Sequence, residues 1–399
     1  MSEQITMGPY TGTVHGNAAL FDAVAYATLP SEYSAAVRCF SPTQGDYHNN
    51  YRTELHATIT APKAAHRYAD YPVIVYIHGG AYFEGSRDDI SGRTFAEDKV
   101  VVVSIDYRLG IQGFTPFAAE ESHHYRGIDD CAVALAWVQE NIEIFGGDPT
   151  NVTVMGNSAG GGIALWLARR DHYTGLFRRL WVSSPAFPRG GDRRSATRWA
   201  LSAPVTQTGL ERLPRRKVVR AETSLRRRYF TDLAFGPHPF NAKELVTLPT
   251  VITYTTDECA DFVGVKKLQA SRWSKYIRKY LAKGLDALPK YIEQLPDDTY
   301  FAQLTSDSMI RRWVERVAAA RNPWVIEFAG EPALHCEDLP EIFGTGKVHD
   351  IAVIFARGYD PLWQPYGQRR SVIRMRLDGS QDHIITDPLA HVRTGFMKS

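Results

Sequence analysis

Five short β-branched and apolar runs punctuate the chain, at 73–77, 100–105, 152–155, 251–255 and 324–328. A strand with one wet face alternates polar and apolar residues, whereas a strand covered on both faces is apolar without interruption. The runs therefore predict a mostly parallel sheet with helices on both faces. One helix is expected to begin near Asp129-Asp130, whose carboxylates suit the positive end of a helix, and to stop before Gly146-Gly147. No repeat of fixed period, low-complexity tract or long linker divides the 399 residues, so the pattern predicts one α/β domain over 1–399. No run of 18 apolar residues exists, so no membrane span is expected.

Two of these runs end in unusual residues. Val152-Thr153-Val154-Met155 leads into Gly156-Asn157-Ser158-Ala159-Gly160-Gly161-Gly162, a strand expected to turn sharply into a helix with Ser158 at the apex. That turn strains the serine and holds its hydroxyl above the sheet, and flanking glycines let the backbones approach. The 73–77 run ends in His78-Gly79-Gly80-Ala81-Tyr82. Backbone N–H groups of Gly79, Gly80 and Ala159 can converge on a carbonyl oxygen as it gains negative charge. The pattern points to acyl transfer with Ser158 as nucleophile.

Around these motifs stand Gly127-Ile128-Asp129-Asp130, Trp137-Val138, Asn141 to Pro149, Asp106-Tyr107-Arg108-Leu109-Gly110, Gly12 to Gly16 and Trp363-Gln364-Pro365-Tyr366. With them the chain resembles the type B carboxylesterases, the group that includes the cholinesterases. The resemblance is dense between 72 and 165 and thin from about 178 to 325. It implies an α/β-hydrolase fold with a helical cap, here expected from about 177–250 and 264–322. It also implies a serine, glutamate, histidine triad. The matching positions are Glu258, after the strand 251–256, and His335 in Leu334-His335-Cys336-Glu337-Asp338. Asp257 and Asp261 compete for the acid role. Related lipases place the acid and base near the C-terminus, which would make Asp382-His383 the pair, but the Phe145–Pro149 and Leu334–Gly344 blocks favour His335.

The chain departs from that family at four places. Asn157 stands where a glutamate is common, which removes an attraction for cationic substrates. Cys259 and Cys336 follow the acid and the base where glycine is usual, and these two thiols are expected to lie near each other. An early family cysteine is missing around Arg52-Thr53-Glu54-Leu55. Four cysteines in all, with no disulfide or metal spacing, and an N-terminus without a basic or apolar leader suggest a cytoplasmic protein. His123-His124 has no further ligand-spaced partner, so no metal or other cofactor is expected.

Charge is uneven. The chain carries a formal +2, yet residues 178–228 hold thirteen arginines and one lysine against Asp192, Glu211 and Glu222, a balance of +11. Either this is a solvated cap face or it docks an acidic partner such as an acyl carrier. No nucleic-acid motif accompanies it. Three functions are compatible with these features: a serine carboxylic-ester hydrolase acting on a small-molecule ester; a transacylase, cyclase or thioesterase using an activated acyl donor; and a non-catalytic binder on an esterase scaffold.

Overall fold

The computed structural model describes residues 3–40, 53–117, 120, 123–190, 193–230, 232–271, 273, 274, 276–278, 282 and 285–396. Among them, thirteen strands form one sheet. Its parallel centre is β6 (Tyr71–Ile77), β7 (Val101–Ile105), β8 (Gly147–Asn157), β9 (Arg179–Ser183), β10 (Thr250–Thr255), β11 (Trp324–Ala329) and β12 (Ser371–Arg376), with β13 (His383–Thr386) antiparallel at the edge. At the other side, β1 (Gln4–Met7), β2 (Tyr10–His15), β3 (Ala18–Thr28), β4 (Val37–Arg38) and β5 (Glu54–Pro62) run antiparallel. Strand order is β1-β2-β3-β5-β7-β6-β8-β9-β10-β11-β12-β13, with β4 on β3.

Six helices of nine or more described residues accompany the sheet: α1 (Arg126–Asn141), α2 (Ala159–Leu167), α3 (Arg193–Leu201), α4 (Arg215–Arg228), α5 (Arg312–Arg321) and α6 (Lys347–Ala356). The central strands are apolar throughout because each face has its own cover. Val73, Val75 and Ile77 of β6 join the core under α1 and α2, while Ile74 and Tyr76 join a second core with Val348, Ala352 and Phe355 of α6. All five sequence runs fall on strands. β9 was not anticipated, because only Leu180-Trp181-Val182 follow its opening Arg179 and the run is too short to stand out.

Helix α1 starts earlier than the acidic pair suggested, at Arg126, and Asp130 is not a helix-end charge. It is fully buried, and Arg108 donates to it from Nε at 2.8 Å, from Nη2 at 2.6 Å and from its own backbone N–H at 3.0 Å. The helix passes through a tight turn at Ile142–Phe145 and stops at Gly146, whose φ of +78° suits glycine. Of the expected cap segments, 177–250 contains β9 as well as α3 and α4, and 264–322 contains α5. Residues 191, 192, 231, 272, 275, 279–281, 283 and 284 of these segments, and Arg52 of the early block, lie outside the described residues.

A buried ion pair that loses one member leaves a charge without compensation. Arg108→Ala or Asp130→Ala is expected to destabilise the fold by about 3–5 kcal/mol in urea unfolding. A loss below about 1 kcal/mol would mean that water reaches the pair.

Candidate active site

Ser158 stands where β8 ends and α2 begins. Its φ of +52° and ψ of −115° lie outside the regions open to ordinary residues, and it is only 8% exposed. Three backbone bonds hold it there: its N–H donates to Ser183 O at 2.8 Å, and its carbonyl accepts from Gly162 N at 3.0 Å and Ala186 N at 3.1 Å. The neighbouring glycines are required by close approach. A Cβ on Gly156 would lie 2.3 Å from Gly160 O, and one on Gly160 would lie 2.0 Å from Ile77 O.

The His78–Tyr82 loop lies against this turn. A Cβ on Gly79 would sit 2.9 Å from Asn157 Oδ1 and 3.3 Å from Ser158 Cβ, and Gly80 adopts φ +98° with Ala81 and Tyr82 also left-handed. Tyr107 Oη donates to His78 O at 2.8 Å while its ring stacks on the imidazole, and Tyr82 Oη donates to Ala186 O at 2.6 Å. Among the described residues, none of the N–H groups of Gly79, Gly80 and Ala159 donates to a backbone carbonyl. They remain available to another acceptor.

Glu258 follows β10 and is completely buried. His335 Nδ1 donates to its Oε2 at 2.5 Å, while Ser184 Oγ and Thr255 N donate to Oε1 at 2.6 and 2.8 Å. Burial opposes the carboxylate's charge, but the facing imidazole and these three donors outweigh it and hold the Glu258 carboxyl below its ordinary range. Burial likewise opposes the imidazolium, and the adjacent Cys336 sulfur, through any thiolate character, together with the Glu258 carboxylate outweighs it, raising His335 well above its ordinary value. The backbone closes the same contact, His335 N donating to Glu258 O at 3.2 Å. The histidine loop also reaches the serine turn: Cys336 Sγ donates to Asn157 Oδ1 at 3.3 Å.

The rival carboxylates have other tasks. Asp257 accepts from Ala333 N and Thr256 Oγ1, and Asp261 pairs with exposed Lys266. Asp382 pairs with Lys347 and accepts Arg376 N, and His383 is exposed on β13. His124 leans on Asp129 and His172, and no group of three or more His, Cys, Asp or Glu able to hold a metal exists among the described residues. All four cysteines are free thiols.

Sequence reasoning missed the residues that hold these groups. Ser184 sits one position past β9, with no motif to mark it. Ser306 Oγ accepts Cys259 N at 3.0 Å, and buried Arg311, paired with Asp307, donates to Thr256 O at 2.8 Å. Both come from the segment expected to be cap and fix the turn that carries Glu258. Asp338 is fully buried and accepts from Thr253 Oγ1 at 3.0 Å; burial first, then the Glu258 charge, pushes its carboxyl up to about 6.

The fold is an α/β-hydrolase. Over residues 36–266 the sequence matches the model of the carboxylesterase family, and the chain belongs to that family. It is 28% identical to carboxylesterase patB of Aspergillus clavatus over 341 residues, covering 73% of this chain and 61% of that protein. It is 35% identical to para-nitrobenzyl esterase of Bacillus subtilis over 175 residues, 42% of this chain and 34% of that one. Mouse neuroligin-3 is 37% identical over 141 residues, 35% of this chain and 16% of its own. The aligned stretches thus span less than two thirds of these relatives. A solved PNB esterase superposes with a TM-score of 0.76 at 23% identity over 99% of both chains. Juvenile hormone esterase of Manduca sexta gives 0.74 at 20%, over 97% of this chain and 94% of that one.

Asp338 supplies a test of the buried charge. Its carboxyl titrates higher in the fold than in the unfolded chain, so the neutral form favours folding, and stability is lost as pH rises through about 6. Asp338→Asn keeps an acceptor for Thr253 and never ionises. Its stability relative to wild type should improve by on the order of 2 kcal/mol between about pH 4 and about pH 8. A difference that does not change with pH would contradict the assignment.

Proposed function

We propose that this chain is a serine carboxylic-ester hydrolase acting through an acyl-enzyme on Ser158, with His335 as general base and Glu258 as its orienting acid. The observation that carries the proposal is the buried Glu258–His335 pair, joined to the serine turn through Cys336 and Asn157. With Nδ1–H held by Glu258, Nε2 is left as the acceptor, the tautomer a general base needs.

Ser158 Oγ attacks the ester carbonyl carbon as Nε2 takes its proton. The carbonyl oxygen becomes an oxyanion and receives the N–H groups of Gly79, Gly80 and Ala159. The intermediate collapses, the carbon–oxygen bond to the alcohol breaks, and His335 returns its proton to the departing alkoxide. Water then attacks the acyl-enzyme by the same route and releases the acid. No cofactor enters these steps.

Asn157 is neutral where a carboxylate would attract cations, so the substrate we propose is a neutral small-molecule ester. We assign the helices within 177–250 and 264–322 to a cap over the site. Free thiols support a reducing, cytoplasmic setting. A second acceptor in place of water, with an acidic carrier as donor, is favoured only by the exposed cations of α3 and α4.

Release of p-nitrophenol from a short-chain ester tests the proposal. Ser158→Ala and His335→Ala should each reduce turnover by about 10⁴-fold or more, and the double variant scarcely further. Wild-type turnover that survives Ser158→Ala would overturn it. A burst of one equivalent followed by silence would move the reaction to acyl transfer.

His335 must be neutral to accept a proton, and its raised pKa places the loss of kcat/KM on acidification above pH 6.5. Glu258→Gln removes a charge that raises it, so the residual activity should persist to lower pH. An unmoved acid limb would show that another group titrates. A cationic and a neutral thioester of equal size should give kcat/KM values within about threefold; a preference of about 100-fold for the cation would contradict the role given to Asn157.

A further inference from the structure

Four of the thirteen arginines of 178–228 have partners within the fold. Arg179 pairs with Asp360, and Arg189 and Arg193 share Asp232. Arg226 stacks over the Phe83 ring at 4.0 Å. These serve the fold. The acidic residues that could neutralise the others are also engaged: Glu211 accepts from Ser31 and Gln207, and Glu222 accepts Ile111 N at 3.0 Å, while Asp192 lies outside the described residues. Among the exposed remainder are Arg198, Arg216, Arg220 and Arg227, with no carboxylate at ion-pair distance among the described residues.

These four share one face. Helices α3 and α4 pack together, α4 burying Val218, Ala221 and Leu225. A cavity of about 810 Å³ is lined by Arg198, Trp199 and Ser202 from one side and Ser224 from the other. On α4, residues 216, 220, 224 and 227 follow one another at helical spacing, so Arg216, Arg220 and Arg227 form a stripe about 16 Å long through Ser224. Trp199 is 70% exposed and Phe230, just past the helix, 64%.

We propose that the α3–α4 face docks this protein onto an anionic lipid bilayer. Arginines of one sign combined with bare aromatic rings are the composition of helices that lie at a charged membrane surface, the cations meeting phosphates and the rings entering the headgroup layer. A protein partner is selected by alternating attraction and repulsion. The described part of this face carries no acidic residue to set such a register, which suits a fluid sheet of negative charge. The hydroxyls and arginine lining the cavity suit a phosphate headgroup. Arg226 on Phe83 fastens α4 to the loop that follows Gly80, and Glu222 on Ile111 fastens it to the short helix Gly110–Phe114. A docked bilayer would thus rest on an element attached to the wall of the proposed site, where esters dissolved in lipid are concentrated.

Co-sedimentation with phosphatidylcholine vesicles, with and without about 30% phosphatidylglycerol, tests the proposal. The protein should sediment with the anionic vesicles only, and raised salt should release it. Arg216→Glu/Arg220→Glu/Arg227→Glu should lower the bound fraction at least about tenfold while leaving hydrolysis of a soluble p-nitrophenyl ester unchanged. Should the charge reversal fail to fold, the corresponding Arg→Gln variant is expected to show the same direction. Trp199→Ala should weaken binding without changing its salt dependence. Equal binding to neutral vesicles, or binding unaffected by the arginine changes, would overturn the proposal. So would capture by immobilised polyglutamate with no binding to either vesicle, which would reassign the face to an acidic protein. Ser158→Ala protein should bind as wild type does, so failure of the esterase proposal leaves this one standing.

Discussion

A carboxylate with no access to water is tolerable only when its charge is met by donors and an opposing charge. Glu258 is such a group, and much of the surrounding architecture supplies what it needs. Ser184 arrives from the end of β9, Thr255 N from the end of β10, and His335 from a loop 77 residues further along the chain. The turn that carries the glutamate is tied down in turn by Ser306 and Arg311. Removing any of these would leave a charge or a donor stranded, so the acid loop, the histidine loop and the ends of β9 and β10 have to assemble as one unit.

The serine side obeys a different constraint. There the backbone is crowded to the limit that glycine permits, and Ser158 is held in a left-handed conformation by three main-chain hydrogen bonds. Strain of this kind costs about 1–3 kcal/mol and persists only where the surroundings over-determine it. The two halves of the site meet at Cys336 and Asn157. Cys336 itself takes φ +72°, a conformation that glycine adopts more easily, and its thiol reaches the side chain of Asn157 beside Ser158. A position that looked like a loss of glycine in the sequence is a bridge in the fold.

Legibility followed physical range. The central strands could be read because burial on both faces removes polar residues, and the serine turn because close backbone contact demands glycine at fixed spacing. Glu258 and His335 were named through family resemblance, since no local rule links residues so far apart. Ser184, Arg311 and Asp338 stayed invisible because their roles come from contacts across the sheet, and nothing in their neighbours marks them. Asp130 was misread for the same reason: next to Asp129 it resembles a helix-end charge, and only the fold brings Arg108 to it. The basic segment was legible as charge but not as surface, because the sequence cannot show which arginines Asp232 and Asp360 consume.

The central claim is that three distant segments fold into one acylating unit on Ser158. The most direct measurement is intact mass and peptide mapping after exposure to an organophosphonate ester, which traps a serine only when a base has activated it. The account predicts a single adduct on the Ser158 peptide, formed readily by wild type and nearly absent in His335→Ala and Glu258→Ala proteins that remain folded. An adduct on another serine, or equal labelling without His335, would contradict it.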